Sequence, residues 1–116
     1  MAANQRPSAK PPAAMVFGIP RPLEKDIVVL RNGSRLAGEL LTRQFILRMA
    51  AGQVMLDVEK IAGVDRGQES SDIEVIATTE NDRFSGILLE NSILFRIGES
   101  EETVRIRREE IEMMLL

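Results

Sequence analysis

The chain has 116 residues, 44% hydrophobic and 28% charged, which suits one small globular unit or two very small ones sharing a core. It contains no cysteine and no histidine, which excludes disulfides, thiol nucleophiles, thiolate metal sites and the commonest neutral-pH proton shuttle. The net charge of −3 is uneven, because residues 1–22 carry Arg6, Lys10 and Arg21 with no acid, while the rest of the chain holds 12 bases and 18 acids.

An acidic body disfavours nucleic acid, which needs a basic footprint. Four Phe with no Tyr or Trp leave few rings for stacking bases or sugars. No run approaches the roughly 18 apolar residues of a membrane helix, and the opening "MAANQRPSAKPPAAMVFGIP" lacks an apolar signal core. The expectation is a cytoplasmic protein without membrane insertion.

All five prolines fall in residues 1–22, which predicts an extended, polyproline-like arm. Into that arm "AAMVFGIP" inserts Met15, Val16, Phe17 and Ile19. Four such residues predict a docking segment, seated either on its own barrel or as a strand on a neighbour's edge. From Leu23 onward proline is absent and the hydrophobic period is two. "RNGS" (31–34) predicts a hairpin, with Asn32-Gly33 suited to a type I′ turn. "RLAGELL" then sets Leu36, Gly38 and Leu40 against Arg35, Ala37, Glu39 and Leu41. "FILRM" sets Phe45, Leu47 and Met49 against Ile46 and Arg48, "VMLDV" sets Val54, Leu56 and Val58 against Met55 and Asp57, and "KIAGV" adds a short strand.

This order recurs. At an offset of 48, Arg35, Gly38, Leu40, Leu41 and Arg48 return as Arg83, Gly86, Leu88, Leu89 and Arg96. After "GESEET" (98–103) the offset becomes 50, pairing Val54 with Val104, Leu56 with Ile106 and Ile61 with Ile111. The two extra residues fall in a turn, where insertion is tolerated. One meander alone buries too little to be stable, whereas two share a core.

The predicted fold is all-β: an internally duplicated β-meander forming a two-sheet sandwich or a pair of fused small barrels, with an extended N-terminal arm. Its parts are the arm (1–22), the first meander (23–66), a linker (67–72) and the second meander (73–116). The end "VRIRREEIEMMLL" reads as strand first, although "REEIEMMLL" alone suits two helical turns.

No constellation carries catalysis, cofactor binding or metal binding. Asp57, Glu59 and Asp65 lack metal-loop spacing, and Ser70, Ser71 and Ser100 have no histidine to activate them. No enzyme activity and no cofactor are therefore expected. Gly38 and Gly86, in mid-strand, predict a bend, a bulge or the close approach of a facing strand, with ligand contact as the alternative. Arg35, Arg48, Arg83 and Arg96 are candidates for an anion or partner contact, against a solvated face with acids across the strands. Met15, Val16, Phe17 and Ile19, together with the terminal Met113, Met114, Leu115 and Leu116, are candidates for docking or oligomer contacts. Exposed, that terminus would invite aggregation; buried, it closes the last strand or covers a subunit interface.

The run "VVLRNGSRLAGELLTRQFILRM" (28–49) resembles the first half of an Sm-like small barrel, with a polar turn, a glycine-bearing bent strand and a following apolar strand in the same order. The resemblance implies a small barrel and ring-type assembly. Sm-like proteins bind RNA through Asp and Asn in the loop after the glycine-bearing strand. The corresponding loops here are "TRQ" (42–44) and "ENS" (90–92), where only Asn91 matches in type. The expected function is a non-catalytic assembly or adaptor protein that self-associates and binds a protein partner, with a nucleic-acid or anionic-ligand module as the alternative.

Overall fold

The computed structural model describes residues 14–66 and 72–116. The predicted linker, apart from Asp72, and the arm up to residue 13 lie outside the described residues. The first described element is a two-stranded hairpin, β1 (Met15–Val16) and β2 (Ile19–Pro20). The first repeat supplies β3 (Asp26–Leu30), β4 (Arg35–Leu40), β5 (Gln44–Met49), β6 (Gly52–Asp57) and β7 (Ile61–Asp65). The second supplies β8 (Glu74–Thr78), β9 (Arg83–Leu88), β10 (Ser92–Ile97), β11 (Thr103–Arg107) and β12 (Ile111–Leu115). Single 3-10 turns, Val58–Lys60 and Arg108–Glu110, precede β7 and β12. The C-terminal stretch is therefore two strands around one tight turn, because the acids at 109 and 110 sit at a corner while Ile111 and Met114 face the core.

The strands form one ten-stranded sheet in the order β11-β10-β4-β3-β12-β7-β8-β9-β5-β6. Its pairings are all antiparallel. Since β3–β7 correspond to β8–β12, this order maps onto itself when read backwards with the repeats exchanged. The pseudo-twofold lies between β7 and β12, where the equivalent residues Val64 and Met114 pair with each other. The fold is thus all-β with repeated topology: a small hairpin sheet and a long sheet that curls round a common core.

The repeats exchange strands. β4 and β5 are consecutive, yet β4 pairs with β10 and β5 with β9. One half of the sheet is therefore β3 and β4 from the first repeat with β10, β11 and β12 from the second, and the other half is the converse. Equivalent hydrogen bonds hold the two crossing points. Leu41 N–H donates to Leu94 O at 2.8 Å and Leu89 N–H to Ile46 O at 2.9 Å. At one crossing Leu94 N–H donates to Thr42 Oγ1 at 2.9 Å, and at the other Ile46 N–H donates to the Glu90 carboxylate at 3.0 Å.

The predicted alternation is realised. Leu40, Phe45, Leu47, Leu88, Ile93 and Phe95 form the core, with Leu36, Val54, Leu56 and Phe84 packed against them. Gly38 and Gly86 mark the closest crossing, since a Cβ on either would stand 1.9 Å from Arg96 O or 2.4 Å from Arg48 O. Close approach, among the expected explanations, accounts for both. The "RNGS" turn differs from expectation. Only Gly33 has positive φ, with Leu30 N–H donating to Ser34 O and Gly33 N–H to Leu30 O, so this is a three-residue loop and not type I′. The second repeat keeps the same loop although its sequence lost Asn-Gly: Asn81, at φ +72°, takes the place of Gly33. Asparagine is among the few residues that enter this region readily.

Candidate interaction surface

Two buried carboxylates begin the equivalent strands β3 and β8. Asp26 accepts from Leu40 N–H at 2.8 Å, and Glu74 accepts from Leu88 N–H at 3.1 Å. Each thus satisfies a backbone donor where a glycine-bearing strand ends, which is sufficient reason for an acid in the interior. Arg21 lies beside Asp26 and donates to Leu116 O at 3.2 Å; burial lowers its pKa, partly offset by Asp26. Near Glu74, Arg66 donates to Arg108 O at 2.7 Å, and Arg108 to Leu88 O at 2.8 Å. Burial raises the Glu74 pKa, against the hydrogen bond from Leu88 and the charges of Arg108 and Arg66.

Glu74, Arg66, Arg108 and Leu88 line a cavity of about 20 Å³, with Phe45, Glu90, Ile93 and Glu112 also on its wall. That is room for about one water molecule. It lies between charged and apolar side chains, and a second, open depression of about 440 Å³ is lined by Thr42, Arg43, Gln44, Asp57 and Glu59. No group of His, Cys, Asp and Glu among the described residues is arranged to hold a metal ion.

The four repeated arginines stand on the outer face, as their strand positions predict, but they do not converge. Arg35 and Arg96 lie on β4 and β10, and Arg48 and Arg83 on β5 and β9. Five strand steps separate β4 from β9 in the sheet order. At about 4.8 Å per step that is a path of roughly 24 Å measured round the curled sheet. Arg96 is ion-paired with Glu39, its cross-strand neighbour. Arg83 lies over the Phe17 ring, 5.3 Å from its centroid. Arg35 and Arg48 are exposed, with no carboxylate partner among the described residues. On the same half as Arg96, Arg107 is held by Glu109 and Glu110, which raise its pKa.

The arm residues seat on the chain's own body. β1 and β2 cover the sheet centre, where Val16 is buried with Ala62, Ala77 and Leu115, and Phe17, Ile27 and Met113 pack round them. Gly63 allows this approach, since a Cβ there would meet Val16 Cγ2 and Phe17 Cε2 at 3.1 Å. Phe17 and Gly18 both have positive φ, which makes the tight turn between β1 and β2. Met15 and Ile19 point outward. At the other end β12 lies between β3 and β7; Met114, Leu115 and Leu116 are buried and Met113 is half-buried.

The outer surface also carries an apolar region beside Arg48. On the half ending in β6, Met55 is 58% exposed and pairs with Ile46, and Leu89, 37% exposed, donates its N–H to Ile46 O. Ile87 lies next to them, opposite Arg48. The sequence signal was available in the outward phase of β5, β6 and β9, where Ile46, Met55 and Ile87 occupy positions that alternation assigns to solvent. Strands β6 and β11 end the long sheet and have one unpaired edge each. No helix among the described residues is long and apolar enough to cross a membrane. No known protein family, no curated protein and no solved structure matches the chain.

Proposed function

We propose that the chain is a non-catalytic assembly or adaptor protein that self-associates and offers an outer sheet face to a protein partner. The observation that carries this reading is the apolar outer row Met55, Ile46 and Leu89 beside the unpaired edge of β6. Exposed apolar surface next to an open strand edge favours contact with another chain. The lack of a metal-ligating group among the described residues is consistent with a role without catalysis. A cytoplasmic location belongs to the same proposal. So does kinship with Sm-like small barrels, supported by the strand–glycine–strand order and the curled halves.

Sedimentation velocity or light scattering on the full chain over a concentration series tests the reading. Reversible self-association is expected, and a monomer at every concentration would overturn it. The alternative, an anionic-ligand module, draws support from Arg35 and Arg48, which have no carboxylate partner among the described residues. It predicts binding of a polyanion at about 50 mM salt that weakens when both become Ala. The separation of the arginine pairs and the Glu39–Arg96 ion pair make it the weaker of the two.

A further inference from the structure

The duplication makes the two end strands, β6 and β11, equivalent. Inner faces of the halves are alike, whereas the outer faces have diverged at equivalent positions. Where one half has Glu39, Arg96, Arg105 and Arg107, the other has Ile87, Arg48, Met55 and Asp57. On the first, the charges are satisfied within the chain: Glu39 holds Arg96, Arg105 donates to Ser92 Oγ at 3.2 Å, and Arg107 pairs with Glu109 and Glu110. On the second, Asp57 accepts from Gln44 Nε2 at 2.9 Å, whereas Arg48 has no carboxylate partner among the described residues and Met55 is exposed. An edge carrying Arg105 and Arg107 is protected against pairing with its own copy. The edge of β6, with Gln53, Met55 and Asp57 on its outer face, is not.

Building on the self-association reading, we propose that two copies join antiparallel along β6, about a twofold axis at Met55, and continue one sheet through both molecules. In this register Met55 faces its own symmetry mate, and Asp57 of each copy faces Gln53 of the other. The Met55 pair joins the Ile46 beside each of them in one apolar row across the junction. The Asp57 carboxylate meets a carboxamide, with Arg48 next to it, because Arg48 pairs with Gln53 across β5 and β6. The arrangement answers both unsatisfied features of this face with groups the chain already carries. The same operation on β11 would set Arg105 against Arg105, and like charges directly opposed destabilise a sheet. Pairing β6 with β11 would be head-to-tail, leaving free edges at both ends of a growing chain, whereas the β6 twofold closes at two. One short strand per copy is a small interface, so the dimer is reversible and concentration-dependent.

Sedimentation velocity on the full chain, with Met55→Lys, Gln53→Glu and Arg105→Glu, tests the proposal. Met55→Lys sets like charges opposite each other and is expected to raise the dimer dissociation constant at least tenfold. Gln53→Glu, which opposes Asp57, weakens the dimer in the same direction, and Arg105→Glu leaves it unchanged. Circular dichroism of each variant matches the wild type, because all three side chains lie on the exposed outer face. A wild-type protein that is monomeric throughout overturns both this proposal and the self-association reading. A dimer that survives Met55→Lys, or that is lost with Arg105→Glu, overturns the β6 interface alone.

Discussion

At the scale of single residues, the two mid-strand glycines and the two buried acids set the geometry. A side chain at 38 or 86 would strike the backbone carbonyl of the strand crossing it, and backbone cannot step aside as a flexible side chain can. Gly38→Ala is expected to cost about 1–3 kcal/mol, the usual range for overpacking. Gly86→Ala costs less, since its clash is milder; urea denaturation of both variants checks the order. Glu74 sets a pH dependence. Burial raises its folded-state pKa above the ordinary carboxylate value, so the native chain keeps this proton to higher pH than the unfolded chain does. Its contribution to stability is largest below the ordinary carboxylate pKa and falls as pH rises to the elevated one. Glu74→Gln keeps an acceptor for Leu88 N–H and flattens that fall, which thermal melts across the acid range would detect.

At the scale of elements, each strand keeps the alternation its sequence specifies, and the arm hairpin adds a local cover. Val16 is the only member of β1 and β2 that is fully buried. Val16→Asp removes roughly the 1.5–3 kcal/mol of a buried aliphatic side chain and adds an unpaired charge. The expected result is a lower melting temperature with the long sheet retained in the far-ultraviolet spectrum. That this hairpin docks on its own chain was one of two readings open in "AAMVFGIP". A sequence lists the apolar residues of a segment but not the surface that receives them; here Gly63, Ala62 and Ala77 provide a shallow site in the middle of the sheet. The turns give a similar lesson. Asn32-Gly33 announced a hairpin, yet its loop type depended on the register of β3 against β4, and Asn81 maintains the same loop without the motif.

At the scale of the molecule, the exchange of strands makes the repeats interdependent. β4 finds its outer partner in β10 and β5 finds its own in β9, so neither repeat can complete a half by itself. Fragments 14–66 and 72–116, prepared separately, are expected to lack cooperative unfolding, and their mixture to recover it. Circular dichroism melts of each fragment and of the equimolar mixture check this. Cooperative folding of either fragment as a monomer would contradict the exchange.

The sequence by itself determined the period of two, the inward and outward residues of each strand, the duplication with its shift of offset, and the lack of histidine and cysteine chemistry. Those properties are local or compositional: side-chain alternation is built into an extended backbone, and a repeat is visible as a repeat. Only the tertiary structure decided which strand lies beside which. Hydrophobic alternation is the same whether β4 pairs with β5 or with β10, and the choice rests on the crossing at Gly38 and Gly86 and on bonds between residues some fifty positions apart. It also decided the fate of the arginines and of the terminal "MMLL". Arg96 meets Glu39, Arg83 meets Phe17, and Met114 and Leu115 enter the interior because β12 is laid between β3 and β7. That placement is a property of the sheet order, which no single stretch of the chain contains.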